Sequence, residues 1–512
     1  MHLLPMSSTS QLRRHQPLQF WRASLLRNLK WAHFKTESLA GMTVALALIP
    51  ESLAFSAIAQ VSPMVALYTS FCMAVVISIA GGRPAMISAA TGSMALLMTT
   101  LVVNHGVEYL FAATILTGII QFGVGVFRLE KFFSFIPQSV ISGFVNALGI
   151  LIFVAQISLF KGEPWQMYVM VAATLAVVYL FPRLTKSIPS PLVAIVLMTL
   201  VAIALHLDIR RVGDIGEITR SLPTLHLPQI PFSLETLGII LPYSLTLAIV
   251  GLLESLLTAT LLDDLTHTKS SKNRETRGQG IANMVTGCLG GMAGCGMVGQ
   301  SIINVRSKGR GRLSTMVAGA FLLFSIFILR DTVQQIPMAA LVGVMIMVSF
   351  ETFDWKSLQT MRQMPMQEAI VMPFTVIIAL LTHDLAKGVL AGILLSVLLF
   401  GWQAAQIKAI ATYTEESKVY HVSGQLFFGS AAPFIELFDW DHDPAAVVID
   451  FQRAHIWDHS AGVAIAKVAA HYQRLGKSII LTGLNHESYT VAHRAGVPQA
   501  IMQSASRLEQ AA

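Results

Sequence analysis

The chain has 512 residues, 54% of them hydrophobic and 12% charged, with a formal net charge of +7. Soluble domains carry about 25% charged residues, so a mean hydropathy of +0.63 excludes an ordinary soluble enzyme or nucleic-acid-binding protein and puts most of the chain in lipid. The surplus positive charge gathers in short loops, as it does in multi-pass membrane proteins.

Residues 1–38 hold Arg13, Arg14, Arg22, Arg27, Lys30 and Lys35 and lack a continuous apolar core. They read as a cytoplasmic segment with no cleavable signal. A membrane span needs roughly 20 apolar residues, fewer where the helix is broken and backed by protein. That ruler predicts fourteen segments, near 39–60, 64–81, 86–102, 109–127, 134–158, 167–182 and 190–206, then 236–262, 277–291, 296–305, 313–330, 337–351, 368–382 and 386–406. Basic residues at Arg83, Arg128, Lys131, Arg183, Lys269, Arg274 and Arg306 to Arg312 mark the loops expected inside. The loop 207–235, with Arg210, Arg211 and Arg220, is the exception. An even number of spans returns the C-terminus to the cytoplasm.

Two segments are interrupted. Near 86–102 the run Ser88-Ala89-Ala90-Thr91-Gly92-Ser93 is small and polar before it turns apolar. Near 287–301 come Gly287, Gly290, Gly291, Gly294, Gly296 and Gly299, followed by Gln300 and Ser301. Broken segments at matching places in two halves point to a transporter site, because half-helix N-termini present free amides to an anion. Close helix packing alone is the competing reading of the glycines.

Each half also buries a carboxylate in a similar setting, Pro50-Glu51-Ser52-Leu53 and Leu253-Glu254-Ser255-Leu256. An ionisable group at membrane depth costs a few kcal/mol and is rarely idle. The repeated Glu-Ser-Leu suggests duplication, over about 39–206 and 236–406. Glu254 and Thr258 are four residues apart, hence on one helix face. They could serve as oxygen ligands for a hard cation or as a proton acceptor with a hydrogen-bonding neighbour. Cys72, Cys288 and Cys295 read as small buried hydrophobes.

From residue 407 to 512 polar residues return and short apolar runs alternate with a helical pattern over 459–475, which predicts a small soluble α/β domain. No nucleophile–base pair, metal-ligand spacing or phosphate-binding loop is found, so neither enzyme chemistry nor a cofactor is expected, beyond Na⁺ as a candidate at Glu254 and Thr258.

At this point residues 30–500 resemble the SulP family of inorganic anion transporters. The resemblance is carried by Glu254 to Thr258, Asp263-Asp264-Leu265-Thr266, Asn273-Arg274-Glu275, Gly278 to Asn283, and Ser301 through Ser314. The C-terminal segment is similar to the STAS domain that this family carries on its cytoplasmic side, through Gly424 to Ala431 and Asp450 with Asp458-His459-Ser460-Ala461-Gly462. In related bacterial regulators a serine at the Ser460 position can be phosphorylated; a helix cap by Ser or Asp is the other reading.

The resemblance implies a polytopic helical membrane protein of two inverted seven-helix repeats, divided into core and gate domains, moving by an elevator-like cycle, and a homodimer to which the STAS domain contributes. It implies half-helix tips at Thr91-Gly92 and Gly296-Met297-Val298, facing Glu51 and Phe55 on the first span and Glu254 and Thr258 on the eighth. Anion contacts are expected from Glu51, Phe55, Thr91, Gly92, Gly296, Met297, Val298, Gln300 and Ser301, and coupling-ion contacts from Glu254, Thr258, Gly296 and Val298. Many relatives have Gln where this chain has Glu51 and Arg where it has Gln300; the bicarbonate-transporting branch has Asp where it has Glu254, whereas many proton-coupled members share the Glu. Losing that arginine removes a fixed positive charge, so a co-bound Na⁺ or H⁺ becomes useful for holding an anion. The expected function is therefore cation-coupled symport of bicarbonate or sulfate across the cytoplasmic membrane. Anion exchange, an uncoupled channel, dicarboxylate transport and a membrane-tethered regulator are the alternatives.

Overall fold

The computed structural model describes residues 16–184, 189–216, 222–382, 384–414 and 417–504. The chain divides into two compact units, Met1–Gly392 and Ile393–Ala512, so the division falls inside the last apolar helix, Leu385–Ala404.

Lipid offers no partner for backbone amides and carbonyls, so apolar runs become helices that bond internally. The first half holds α1 (Gln16–Ala59), α2 (Pro63–Ala80), a two-residue strand β1 (Ser88–Ala89), α3 (Gly92–His105), α4 (Val107–Val126), α5 (Gln138–Ser158), α6 (Trp165–Leu180) and α7 (Ser190–Ala204). The second holds α8 (Leu234–Thr266), α9 (Lys272–Cys288), β2 (Cys295–Gly296), α10 (Val298–Arg306), α11 (Arg312–Gln334), α12 (Met338–Thr352), α13 (Trp355–Met361), α14 (Met366–Thr382) and α15 (Leu385–Ala404). Among the described residues nine helices are long and apolar enough to cross a membrane, and α7 and α14 are shorter apolar ones. With α3, α9 and α10 these make the fourteen segments expected.

Several boundaries differ from expectation, and α3 begins at Gly92 instead of residue 86, after the strand Ser88–Ala89. Helix α1 starts at Gln16, well before the apolar run, because nothing in the basic segment breaks a helix. Helix α9 starts at Lys272 rather than 277, on the N-cap Ser271, whose hydroxyl accepts from the Arg274 amide.

The duplication is visible in which helices touch. Helix α1 packs on α11 as α8 packs on α4, and α2 on α11 as α9 on α4. The pairings of α3 with α8 and of α12 with α6 recur as α10 with α1 and α5 with α14. The strands β1 and β2, one from each half, pair antiparallel, which is the direction an inverted repeat demands. Helices α1–α4 and α8–α11 pack mainly on one another and form the core domain; α5–α7, α12 and α14, with the start of α15 at Gly388 and Gly392 against Thr375, form the gate. Contacts between the two run chiefly from α1 to α7 and α12, and from α3 to α5.

Buried carboxylates tie the core's helix ends together. Glu275 on α9 accepts from the amides of Gly82 and Arg83 at 2.7 and 2.9 Å. Glu37 on α1 accepts from the amides of Arg310, Gly311 and Ser314 at 2.6, 2.8 and 3.1 Å. Arg83 in turn reaches Thr266, Thr268 and the Leu262 carbonyl. Orphan amides in front of α3 and α11 are thereby satisfied inside the protein.

The C-terminal unit is a five-stranded sheet in the order β3 (Lys408–Tyr413), β4 (Ser417–Leu426), β5 (Ala446–Ile456), β6 (Ser478–Leu484) and β7 (Met502–Ser504). The first pair is antiparallel and the rest parallel. Helices α16 (Ala431–Ile435), α17 (His459–Arg474) and α18 (His486–Arg494) make the crossovers that parallel strands require. Asp458, not Ser460, caps α17: its carboxylate accepts from the Ala461 amide at 2.9 Å and the Phe428 amide at 2.7 Å. Ser460 stands exposed in the first turn.

One ion pair is buried in that unit. Lys418 Nζ donates to Asp443 Oδ1 at 2.6 Å, and the hydroxyls of Tyr420 and Tyr472 donate to the same carboxylate. Burial alone would lower the lysine's pKa, but Asp443 and the neighbouring tyrosines hold its charge and carry the pKa above the usual range. A folded-state pKa raised above the unfolded value of about 10.4 means that this contribution is fully present at neutral pH. It fades only as pH climbs through the raised value. Removing one partner strands a buried charge, so Asp443→Asn should destabilise the unit by about 3–5 kcal/mol. The paired change Lys418→Met with Asp443→Leu should cost less. Urea-dependent proteolysis of the full-length protein, read at this unit, measures both.

Candidate functional site

The two interrupted segments meet at the strand pair. Ser88 lies opposite Gly296 and Ala89 opposite Cys295, and the Met297 amide donates to the Ile87 carbonyl at 2.8 Å. This pairing absorbs backbone groups that would otherwise be bare where the helices are broken. Gly296 is needed for it: a Cβ there would lie 3.0 Å from Ser255 Cα.

Polar side chains brace the crossing from outside. Asn283 brackets Gly294, donating to its carbonyl at 3.0 Å and accepting from its amide at 2.9 Å. Thr69 does the same for Met292, and Gln279 donates to Ser88 Oγ at 2.7 Å. The hydroxyls of the carboxylates' neighbours take part as well. Ser255 Oγ accepts from the Gly296 amide at 2.9 Å. Ser52 reaches the matching amide, that of Ala90, through the Ser70 hydroxyl.

From this brace the short helices α3 and α10 set out. Thr91 caps α3, accepting from the Met94 amide, and Met297 stands at the N-cap of α10. The first-turn amides of Gly92, Ser93, Val298 and Gly299 have no acceptor within their helices, and they carry the positive end of each dipole. A Cβ on Gly92 would meet Ile152 and Phe55 at 3.0 and 3.1 Å, whereas one on Gly299 would meet nothing within 4 Å. Open space therefore lies before the first turn of α10, where Val298 is 42% exposed.

Each intramembrane glutamate, only partly buried, is held by the other half's short helix. Ser93 on α3 donates to Glu254 Oε2 at 2.8 Å. Gln300 on α10 donates to Glu51 Oε2. Helix α1 has Phe55 one turn after Glu51, where α8 has Thr258 one turn after Glu254. The Thr258 hydroxyl donates to the Glu254 backbone carbonyl at 2.8 Å and lies 3.4 Å from that of Gly296, so it does not bond the carboxylate. Ser301 is likewise committed elsewhere: its hydroxyl accepts from the Ile87 amide at 2.9 Å.

The structure thus gathers Glu51, Phe55, Thr91, Gly92, Glu254, Thr258, Gly296, Met297, Val298 and Gln300 around one crossing. Cys295 corrects an expectation. It is no mere buried hydrophobe, for its thiol donates to Glu254 Oε2 at 2.7 Å. The ion pairs found among the described residues lie away from the crossing, at Asp263, Glu108, Asp384 and in the C-terminal unit. Among the described residues no ion pair involves a residue of the crossing. A cavity of 320 Å³ lined by Tyr68, Glu108, Phe111 and His226 contains none of the site residues.

With this geometry in hand, comparison with known proteins is decisive. The sulfate permease family profile matches residues 34–167 and 161–375, and the STAS domain profile residues 408–511. The chain belongs to the sulfate permease family. It is 53% identical over 465 residues to the candidate sulfate transporter YbaR of Bacillus subtilis (strain 168), covering 90% of this chain and 97% of that protein. The solved transmembrane domain of a cyanobacterium bicarbonate transporter, BicA, matches with a TM-score of 0.63 and 26% identity, over 71% of this chain and 97% of that one. The overall structure of SLC26A9 matches with a TM-score of 0.78 over 99% and 98% of the two chains; at 15% identity that likeness concerns the fold alone.

The glycines of this family member's crossing can be told apart by substitution. Gly299→Ala should leave thermal stability within about 0.5 kcal/mol of the parent. Gly296→Ala, pressed against Ser255, should cost about 1–3 kcal/mol. Thermal unfolding of the detergent-purified protein compares the two.

Proposed function

We propose that this protein is a secondary active transporter of a small inorganic oxyanion, bicarbonate or sulfate, that moves it together with a cation. One observation carries the reading: two half-helix N-termini meet at mid-chain crossings, and each is bonded to a carboxylate on the opposite repeat. The amides and dipoles supply anion affinity. Two nearby carboxylates without a fixed cation oppose it, so an anion binds well only when a cation neutralises the site. Symport follows from that balance; exchange by itself gives the carboxylates no task. The names of YbaR and BicA support sulfate and bicarbonate as the substrates to test first.

Within this reading Gly92, Ser93, Val298 and Gly299 present amides to the anion, Gln300 adds a hydrogen bond, and Phe55 walls the seat. Glu254 receives the coupling cation, a proton or Na⁺, and Glu51 answers to the anion through Gln300. The sparse contact between core and gate supports an elevator-like cycle in which the core carries both sites as one body. The basic loops support a reading with both termini in the cytoplasm and the protein in the cell's inner membrane, where it is expected to work as a homodimer.

Uptake into proteoliposomes tests it, with labelled bicarbonate and sulfate under imposed H⁺ or Na⁺ gradients. One of the anions should accumulate under one of the gradients. Glu254→Gln should cut that accumulation about fivefold or more, the range of typical coupling energies. Glu51→Gln should alter the pH profile of uptake more than its maximum. If neither anion accumulates under either gradient, the symport reading fails.

A further inference from the structure

One carboxylate of the gate has no part in the site described above. Glu351 is the last residue but one of α12, a helix that packs on α5 and α6 within the gate and touches α1 of the core. It is exposed, and among the described residues it has neither a hydrogen-bonding partner nor an ion pair. A bare carboxylate at membrane depth is costly against lipid and faces a water-filled space instead. The charge of Glu351 acts on Glu51 of α1 and on Tyr179 of α6, which puts that space between core and gate.

The corner that carries Glu351 is tied to the gate. The Asp354 amide donates to Asn146 Oδ1 of α5 at 2.8 Å, and Asn146 Nδ2 donates to Ser357 Oγ at 2.9 Å. The Asp354 carboxylate caps α13, accepting from the Ser357 amide at 3.2 Å. Phe350 meets Phe153 of α5 edge-on and stacks on Trp355. A Cβ on Gly149 of α5 would lie 3.0 Å from the Ser349 carbonyl oxygen, so the two helices meet closely. One turn on from Gly149, Ile152 borders Gly92 at the tip of α3. The same stretch of α5 therefore touches the turn of Glu351 and the half-helix tip. Glu351 stays with the gate, whereas Glu51, Gln300 and both tips belong to the core.

A core that slides along the gate carries the anion seat past this charge. Repulsion falls with distance and, in water at physiological salt, is largely screened beyond about 8 Å. A charge fixed to the gate therefore opposes the anion in the conformation that brings the two together and drops out in the other. Helices α6 and α12 both end towards basic loops, with Arg183, Lys356 and Arg362 exposed beyond them, on the side expected to be cytoplasmic. We propose, resting on the transport reading above, that Glu351 weakens anion binding from the cytoplasmic side alone, so that the anion leaves inward and rebinds poorly. The basic residues beyond it draw the departing anion on. Glu351 acts by charge across water, without touching the anion. It sets the difference in affinity between the two faces and leaves the coupling to the core.

Membrane vesicles of both orientations, from cells producing the full-length protein, provide the test, with labelled sulfate and bicarbonate as probes. KM for uptake into vesicles free of unlabelled anion is measured at low ionic strength on each face. Glu351→Gln should lower KM about threefold or more in inside-out vesicles and leave it unchanged in right-side-out ones. Glu351→Asp, which keeps the charge, should keep the wild-type KM on both faces. Raising the ionic strength with an impermeant salt should shrink the shift. No shift in inside-out vesicles, an equal shift on both faces, or an aspartate variant that behaves like the glutamine one overturns the proposal. So does a shift that salt leaves at full size, which marks altered packing. Glu351→Ser removes the charge in a smaller side chain and is judged by the same outcomes where the glutamine variant does not fold. Absence of uptake by wild type in both kinds of vesicle overturns instead the transport reading on which the proposal rests.

Discussion

Breaking two helices inside a membrane is affordable only if every freed amide and carbonyl finds a partner within the protein. The antiparallel pairing of Ser88-Ala89 with Cys295-Gly296 meets that demand, and much of the core is arranged around it. It requires a glycine at 296, polar side chains from α2 and α9 to cover the flanks, and hydroxyls to take up the adjoining amides, Ser255 directly and Ser52 through Ser70. The same pairing aims the N-termini of α3 and α10 at one place. The proposed anion seat is thus a by-product of how the breaks are sealed.

The inverted repeat explains why the halves are bonded crosswise. A two-fold relation that pairs β1 with β2 must also bring α3 to α8 and α10 to α1. Each short helix therefore holds the glutamate of the other repeat, Ser93 with Glu254 and Gln300 with Glu51. The symmetry of backbone is not a symmetry of chemistry. Phe55 stands where the second repeat has Thr258, and an amide faces Glu51 where a hydroxyl and a thiol face Glu254. One carboxylate is surrounded by groups that can pass hydrogens among themselves. The other is bonded, among the described residues, to one amide, that of Gln300, which donates to it.

Sequence reading reached these elements unevenly, for physical reasons. Glu51 and Glu254 stood out because a carboxylate in an apolar run is costly wherever the helix sits. The breaks near residues 91 and 296 were legible from small and polar residues in segments too short to span. The strand pairing itself was not, because two-residue strands leave no period to detect. Cys295 was misread by residue type, since free cysteine usually behaves as a small hydrophobe, and only the fold brings its thiol to Glu254. Gln279 and Asn283 carried an available signal, two amides four residues apart on α9, which share a helix face. In the C-terminal unit the central strands and α17 followed their apolar pattern. The exposed edge strand β3 and the three-residue β7 did not, because neither buries a regular face.

The replacement of an expected arginine by Gln300 gathers these threads into one constraint. An arginine would have held an anion by charge regardless of what else was bound. Gln300 offers only hydrogen bonds, and it already spends one on Glu51. On the proposed reading, affinity must then come from four first-turn amides and two helix dipoles, set against two carboxylates a short distance away. The balance between them is small, so it can be tipped by neutralising a single charge. A site whose occupancy turns on one neutralisation binds the anion and the cation together or releases both, and that conditional binding is what a symporter needs from its structure.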